Sequence, residues 1–236
     1  REGRRYWVNG TSPNGYLLER ILGGEQAKGF QRVEVQGRKI RYVDWVVPGV
    51  LAMNMMFSCL FGVGYVMVRY RKNGFLKRLK ATPLKPFEFL LAQMTSRLIL
   101  IQLITIAVYA GCDHFIQFEM RGSYASLFLI SLLGAVCLIS LGLLVSARLS
   151  SEELAGGILN LLTWPMMLLS GVWFSLEGTN PIVQKIAQFL PLTHIVDGAR
   201  AIMTEGAGLA ETAPHFIVLS LMSVVFLAVG SVIFRW

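Results

Sequence analysis

His194 and Asp197 come nearest, by residue type and spacing, to an acid–base pair in this 236-residue sequence. Three positions apart, they would lie on one face of a helix, where a carboxylate can orient an imidazole for proton transfer. No nucleophile or third group can be named beside them, so structural hydrogen bonding is the other interpretation of the pair. The pair by itself therefore does not define a catalytic site.

Metal ligation is not indicated by the sequence. His114 and His215 form no ligand cluster, and the three cysteines are odd in number and lack the spacing of metal ligands. Cys59 and Cys137 lie inside apolar runs, and Cys112 lies at the end of one. We therefore predict neither a disulfide framework nor a metal or cofactor bound by this chain.

The elements that must position these residues are strongly apolar. The sequence is 54% hydrophobic and 15% charged, with a mean hydropathy of +0.56, whereas a soluble domain carries about a quarter charged residues. Five runs are each long enough, at about 1.5 Å per residue, to cross a bilayer: residues 46–68, 89–111, 124–147, 154–176 and 216–234. We predict an all-α integral membrane protein with five visible transmembrane helices. This excludes a soluble enzyme, a disordered chain and a disulfide-stapled secreted module.

Charge distribution predicts the topology. Residues 69–85 carry seven Lys or Arg in seventeen positions and no acid, so the positive-inside rule places them in the cytoplasm. Residues 1–43 then lie outside although they carry nine Lys or Arg, because long segments translocate largely regardless of charge. The C-terminus is cytoplasmic, and membrane topology and lipid headgroups explain the basic residues better than nucleic acid does.

An external N-terminal segment before five spans predicts a further span upstream. Residues 1–43 are then the tail of the extracytoplasmic loop that follows it, and residues 44–236 form the transmembrane domain. Within the first segment, a weak alternation over residues 33–40 favours a small hairpin.

Residues 177–213 predict two short helices. Asn180-Pro181 is a typical helix start, with apolar residues on one face after it, and a second amphipathic piece follows Pro191. Neither piece is long enough to span a membrane, so we predict re-entrant or interfacial helices outside the cell.

Three stretches resemble one family. GFLKRLKATPL at 74–84, LSGVWFSLEGTNPIVQKIAQFLPLTHIVDGARAIM at 169–203 and YVDWVVPGVLAMNMM at 42–56 are similar to permeases of ABC-2 type exporters, in the drug-resistance and multidrug branch. Together the similarity covers about residues 42–236. It implies a six-span bacterial inner-membrane permease with both termini cytoplasmic. It also implies a dimer, of two identical chains or of close paralogues, that works with two ATP-binding subunits carrying ATP and Mg.

The basic loop would be the ATPase-coupling segment of such a permease. Its predicted residues are Gly74, Phe75, Leu76, Lys77, Arg78, Leu79, Lys80, Thr82 and Pro83. Leu76 and Leu79 would pack into a groove of the partner, the cations would steer it, and Pro83 would fix the exit angle. The alternative is a topology signal bound to anionic lipid.

The short outer helices would form an extracytoplasmic lid, with Pro191 and Gly198 as flexible points. The lid residues are Pro181, Pro191, Thr193, His194, Asp197, Gly198 and Arg200. A cap that merely seals the bundle is the alternative.

The candidate translocation path is apolar and aromatic with two amides: Asn54, Met55, Phe57, Asn160, Trp164 and Met167. Because so few charges lie within the spans, we expect an amphiphilic or lipophilic substrate. Any single one of these residues could equally face lipid or pack in the core.

The sequence therefore predicts the permease subunit of an exporter, in contact with membrane lipid and not with nucleic acid. It has no GxxxxGK[ST] phosphate loop and no Gly-Lys pair, so ATP hydrolysis must come from another polypeptide. The alternatives are an intramembrane enzyme that uses His194 and Asp197, and a passive channel.

Overall fold

A computed structural model of the chain describes residues 4–8, 30–34, 42–117, 120–176 and 178–234. The chain divides into two compact units, Arg1–Arg41 and Tyr42–Trp236.

The first unit contains a two-stranded parallel sheet. Strand β1 (Arg4–Val8) pairs with strand β2 (Phe30–Glu34) from one end to the other. The prediction of a hairpin over residues 33–40 is therefore wrong for positions 33 and 34, which pair in parallel with β1. The rest of that stretch lies outside the described residues. Strands in this unit also limit the predicted all-α class to the second unit.

The second unit is helical throughout its regular structure. Its elements are α1 (Tyr42–Lys72), α2 (Phe75–Lys80), α3 (Pro86–Ile116), α4 (Tyr124–Ser146), α5 (Glu152–Leu169), α6 (Pro181–Ala187), α7 (Pro191–Arg200), a π-helix (Ala201–Glu205) and α8 (Leu209–Ile233). In the described part of the chain, four helices are long and apolar enough to cross a membrane, namely α1, α3, α4 and α8. The protein is therefore membrane-embedded.

Helices α1 and α4 form the centre of the bundle. More than half of the apolar window of each is buried within the chain, and Met56, Leu60 and Leu138 are fully enclosed there. A small residue allows this close packing, because a Cβ added at Gly142 would lie only 3.5 Å from the backbone of Leu60. The sequence marks the start of α4 too, where the Ser123 hydroxyl accepts a hydrogen bond from the Ala125 amide (3.2 Å).

Helices α3 and α8 are peripheral. Only 11% of the α3 window and 17% of the α8 window are buried within the chain, although their hydropathy is as high as that of the central helices. An apolar helix surface this exposed requires lipid or another polypeptide against it. These two helices therefore present the chain's main outward-facing membrane surface.

Helix α5 is shorter than the run that predicted it. The predicted span covered residues 154–176, but the helix ends at Leu169 because Gly171 turns the chain with φ +68°, a backbone conformation that favours glycine. The apolar residues beyond it fold back, and Val172 is fully buried against α1. Ser151 caps the start of α5, with Glu152 and Glu153 in the first turn, where acids suit the helix dipole.

The two predicted short helices are present as α6 and α7. Asn180 caps α6, accepting a hydrogen bond from the Ile182 amide (3.0 Å), and a proline begins each helix. After α7, five residues wind as a π-helix that the sequence did not reveal, Ala201–Glu205, and it ends at Gly206.

Candidate functional site

The basic segment contains a short helix, α2, and one of its leucines points inward. Gly74 enters the helix with φ +69°, where a side chain would be strained. Leu76 is 1% exposed and belongs to the chain's own core, and Leu79 is partly buried against that core. The prediction that Leu76 packs into a partner is therefore wrong. It anchors α2 to this chain instead.

Aromatic rings extend this anchor. The Phe75 ring lies 4.8 Å from that of Tyr70 on α1, and Tyr70 also lies 6.5 Å from Phe89 on α3. Phe89 in turn lies 6.0 Å from Phe234 at the end of α8. Because aromatic pairs at these distances attract beyond their buried area, α2 is tied through rings to three spans.

Arg71 fixes the same end of the bundle. Its guanidinium donates hydrogen bonds to the backbone carbonyls of Ser146 (3.2 Å), Ala147 (2.6 Å) and Leu149. These carbonyls are at and just beyond the end of α4, where no intrahelical amide can reach them. The sequence showed Arg71 only as one of a run of cations, because its partners lie 75 or more positions away.

The remaining cations of α2 face outward. Lys77, Arg78 and Lys80 are exposed, and none forms an ion pair with a described acid. The helix is closed by Thr82, whose hydroxyl donates to the Leu79 carbonyl (2.6 Å), and exposed Pro83 follows. The segment therefore presents a positive, solvent-facing surface on a helix that is itself firmly attached.

The other end of α1 is held by Arg200 of α7. Its guanidinium stacks on the Trp45 ring at 3.9 Å and donates to the carbonyls of Trp45 (3.3 Å) and Gly171 (3.0 Å). Asp197, one turn back, lies 3.9 Å away. Burial lowers the pKa of Arg200, while the carboxylates of Asp197 and Glu205 oppose that shift. Arg200 thus joins α7, the start of α1 and the turn after α5.

Helix α7 is packed into the bundle. Thr193 donates to the Ser170 hydroxyl (3.1 Å) in a buried contact, and a Cβ added at Gly198 would lie 2.0 Å from Ile130 on α4. Gly198 is therefore a close-contact residue inside a helix, and the prediction that it is a flexible point is wrong. Pro191 is the first residue of α7 and is buried.

His194 and Asp197 do not form an acid–base pair. The Nε2 of His194 lies 2.8 Å from the Gln188 carbonyl, and its Nδ1 lies 3.2 Å from the Nδ1 of His215 on α8. A carbonyl only accepts, so the Nε2 of His194 carries a proton that it donates to Gln188, and Nδ1 faces His215 and not Asp197. Asp197 faces Arg200 instead. The intramembrane-enzyme alternative loses its proposed pair.

Helix α6 turns its apolar residues away from the chain. Ile182, Ile186 and Phe189 are exposed, at 65%, 49% and 79%, although the sequence placed them on one helical face. Pro181 begins the helix and is exposed as well. A short helix with an outward apolar face is typical of an element that lies in a membrane interface.

The six predicted path residues do not line one cavity. Asn54 and Met55 line a groove between α1 and α3, and the three candidates on α5 are not part of its wall. Asn160 and Trp164 are exposed on α5, while Phe57 and Met167 are partly buried against the core. The groove beside Asn54 and Met55 therefore does not gather all six candidates.

A helical bundle with at least four membrane spans and a basic helix held between two of them defines a polytopic membrane protein. Comparison with known sequences gives its family: the chain belongs to the ABC-2 type transporter family, whose sequence model matches residues 14–204. The multi-span fold and the transport class that the sequence predicted are confirmed.

Individual relatives are distant. Over 190 residues the chain is 25% identical to the "Inner membrane transport permease YhhJ" of Escherichia coli (strain K12), covering 79% of this chain and 51% of that protein. It is 24% identical over 168 residues to the "Probable multidrug ABC transporter permease YbhR" of the same organism, covering 71% and 46%. With YvfS of Bacillus subtilis (strain 168), identity is 25% over 189 residues, covering 77% and 73%. The chain spans about half the length of the first two.

Proposed function

We propose that this chain acts as the membrane-spanning permease subunit of an ATP-driven exporter of amphiphilic or lipophilic compounds. The carrying observation is α2, a short helix between two candidate spans of an ABC-2 family chain. Its Leu76 is buried in the chain's own core while Lys77 and Arg78 are exposed. Such a helix suits the transmission of force from a partner that docks on its charged side.

The attachments of α2 support this role. A docked partner that moves α2 must also move α1, because Leu76 and the Tyr70–Phe75 ring contact bind the two helices together. Arg71 then carries the displacement to the end of α4. The partner proposed here is an ABC ATPase subunit, present in two copies and holding the ATP and Mg.

A second permease copy, identical or a close paralogue, is part of the proposal. Asn160 and Trp164 are exposed on α5, and Asn54 is exposed on α1. Moving an unpaired amide from water into lipid costs about 1 kcal/mol to several kcal/mol. A polar face within a span is therefore more stable when protein covers it. We expect the translocation path between two copies, lined by these residues.

We further propose that α5 is a fifth span. Its 18 residues give about 27 Å of helix, close to the ~30 Å hydrocarbon thickness. The chain would then enter α1 from outside and end in the cytoplasm, in a bacterial inner membrane, with α2 on the cytoplasmic side. Helices α6 and α7 would lie outside, where α7 acts as the lid and Arg200 holds it closed.

Charge reversal on α2 tests the coupling. The double variant Lys77→Glu/Arg78→Glu changes only exposed side chains, so we expect normal membrane insertion. Co-purified ATPase should fall about tenfold or more in mild detergent, since complementary charge controls such docking. Efflux of a lipophilic dye from cells should be lost in parallel. Higher salt should weaken the wild-type complex, because exposed charges are screened.

Lys185→Glu is the matched control, because Lys185 is an exposed lysine on the short helix α6 at the opposite end of α1. It should keep the ATPase and the efflux. Full ATPase recovery and normal efflux in the α2 double variant would contradict the proposal. A wild-type protein that co-purifies with no ATPase would contradict it as well.

A further inference from the structure

A crevice of about 330 Å³ separates α3 from α4 near the loop that joins them. Each helix lines it with one face. The α3 side is formed by Thr105, Ile106, Tyr109, Ala110 and Asp113, and the α4 side by Tyr124, Leu127, Phe128 and Ser131. From residue 105 to residue 113 the crevice follows about 12 Å of helix. Its size falls in the range of small-molecule sites.

The wall and mouth of the crevice are apolar. Ile106 and Phe128 line it and are also 50% and 43% exposed at the chain surface. Both belong to candidate membrane spans, so the mouth opens sideways toward lipid acyl chains. A compound dissolved in the bilayer could enter here without passing through water.

The end of the crevice nearest the α3–α4 loop carries groups that attract a cation. Among the described residues of the lining, Asp113 is the only charged one, and no described residue forms an ion pair with it. The rings of Tyr109 and Tyr124 line the same end. A carboxylate beside two tyrosine rings is the combination that attracts an ammonium group, through its charge and through the ring faces.

Gln102 of α3 stands beside the crevice and is not one of its lining residues. Its side chain is 6% exposed, and its amide lies 3.4 Å from the Ser131 hydroxyl, which donates its single proton to the Phe128 carbonyl at 2.8 Å. With its oxygen and nitrogen exchanged, the amide donates to this hydroxyl, so Gln102 is a contact between α3 and α4 and not a ligand group.

The crevice also leads inward. Thr105, Tyr109, Leu127 and Ser131 line a smaller void behind it, whose far wall includes Met55 of α1 and residues of α7. Met55 and Thr105 are shared in turn with the groove that contains Asn54. The three spaces thus share lining residues, and the void between the crevice and α7 holds only about 10 Å³.

We propose that the α3–α4 crevice binds a single-chain amphiphile with an ammonium head, the head at Asp113 and the chain along Ile106 and Phe128. This inference rests on the proposed function and deepens it by naming the substrate class. The crevice is a binding site that opens to the lipid leaflet on the α7 side of the bundle. Neutral and anionic chains of the same length occupy it less well.

Photo-crosslinking tests this in the permease reconstituted in nanodiscs, without ATPase and without nucleotide. The probe is a diazirine-bearing decyltrimethylammonium, and labelled peptides are mapped by mass spectrometry. We expect labelling within residues 105–131, competed by unlabelled decyltrimethylammonium and not by decyl sulfate. Asp113→Asn should lower cation labelling about threefold to fivefold, as loss of an exposed ion pair does, and leave labelling by a decanol probe unchanged.

Ala110→Trp should fill the crevice and abolish labelling by both probes. Its matched control is Ala107→Trp, because Ala107 is exposed on α3 but does not line the crevice. Equal labelling of the two tryptophan variants would overturn the site. Equal competition by decyl sulfate, or an Asp113→Asn variant that labels normally, would overturn the cationic head group. Since neither readout involves the ATPase, full ATPase recovery and normal efflux in the α2 double variant, with crevice labelling intact, would reject the proposed function alone.

Discussion

Replacing Arg200 by methionine should loosen the α7 end of the bundle. Methionine fills a similar volume but donates no hydrogen bond, so the carbonyls of Trp45 and Gly171 lose their donor. Hydrogen bonds to a charged group contribute about 1.5–3 kcal/mol each, and the stacking on Trp45 about 0.5–2 kcal/mol. Desolvation of the buried guanidinium offsets part of this sum. We expect a net loss of about 2–4 kcal/mol in the free energy of unfolding.

The buried cysteines offer a direct assay. Cys59 and Cys137 are fully buried, so a thiol-reactive fluorogenic dye reaches them only as the bundle opens. For a chain of this length, the expected loss lowers the melting temperature by about 4–16 °C. Arg200→Lys keeps the charge without the planar fork and should fall between wild type and Arg200→Met. Arg78→Met, the same substitution at an exposed site, should leave the melting temperature unchanged.

The pH dependence of this effect follows from the direction of the shift. The pKa of Arg200 is lowered by burial, so the folded state binds the proton less tightly than the unfolded state. Stability would therefore fall as pH drops through the interval between the two pKa values. That interval lies far above neutrality for arginine, so the difference between wild type and Arg200→Met should stay constant from about pH 6 to 9.

A double-mutant cycle separates the ring contact from the carbonyl contacts. Trp45→Phe keeps an aromatic ring with a weaker face, and its coupling to Arg200→Met should be about 1 kcal/mol. If Arg200→Met melts within about 1 °C of wild type, the contacts of Arg200 contribute nothing measurable, and the argument that it holds α7 closed is refuted.

Two further variants test packing inferred from the structure. Gly198→Val should lower the free energy of unfolding by about 1–3 kcal/mol in the same dye assay, because the added side chain meets Ile130. Gly157→Val is the control, because Gly157 on α5 has open space around it and its variant should change little. Equal melting temperatures for the two variants would contradict the close contact at Gly198. Leu76→Asp should destabilise the chain by about 3 kcal/mol or more because it buries a carboxylate. Leu84→Asp is the control, because Leu84 is 37% exposed and its variant should stay stable. A stable Leu76→Asp protein would support the predicted outward orientation of Leu76.

Hydropathy located the spans well and their ends poorly. The run predicted for α1 covered residues 46–68, but the helix continues from Tyr42 to Lys72 because polar residues carry it into the interface regions. At α5 the predicted run, residues 154–176, extends beyond the helix, which ends at Leu169. Val172 is apolar because it is buried against α1, not because it crosses the bilayer, and the apolar Trp173 and Phe174 after it are 42% and 52% exposed. Hydropathy alone does not distinguish burial against another helix from burial in the bilayer.

The sequence also could not predict contacts between residues that lie far apart in the chain. Seven cations in one segment predicted a basic surface, and six of them are exposed, but Arg71 is partly buried and binds carbonyls at the end of α4. Arg200 was named as a lid residue for its place on α7, while its partner Trp45 lies 155 positions away. Asp113 and Gln102 gave no signal, because a single polar residue in an apolar run has no periodicity.

Helix α1 connects the two ends of the bundle. Its 31 residues give about 46 Å of helix, with Arg71 near one end and Trp45 near the other. At each end one guanidinium binds backbone carbonyls, and at the α7 end it also stacks on the Trp45 ring and lies 3.9 Å from the carboxylate of Asp197. A displacement of α2 is therefore carried by a stiff helix to the residue that holds α7. The sharpest consequence of the proposed function is that force applied at Lys77 and Arg78 is felt at the Arg200–Trp45 contact.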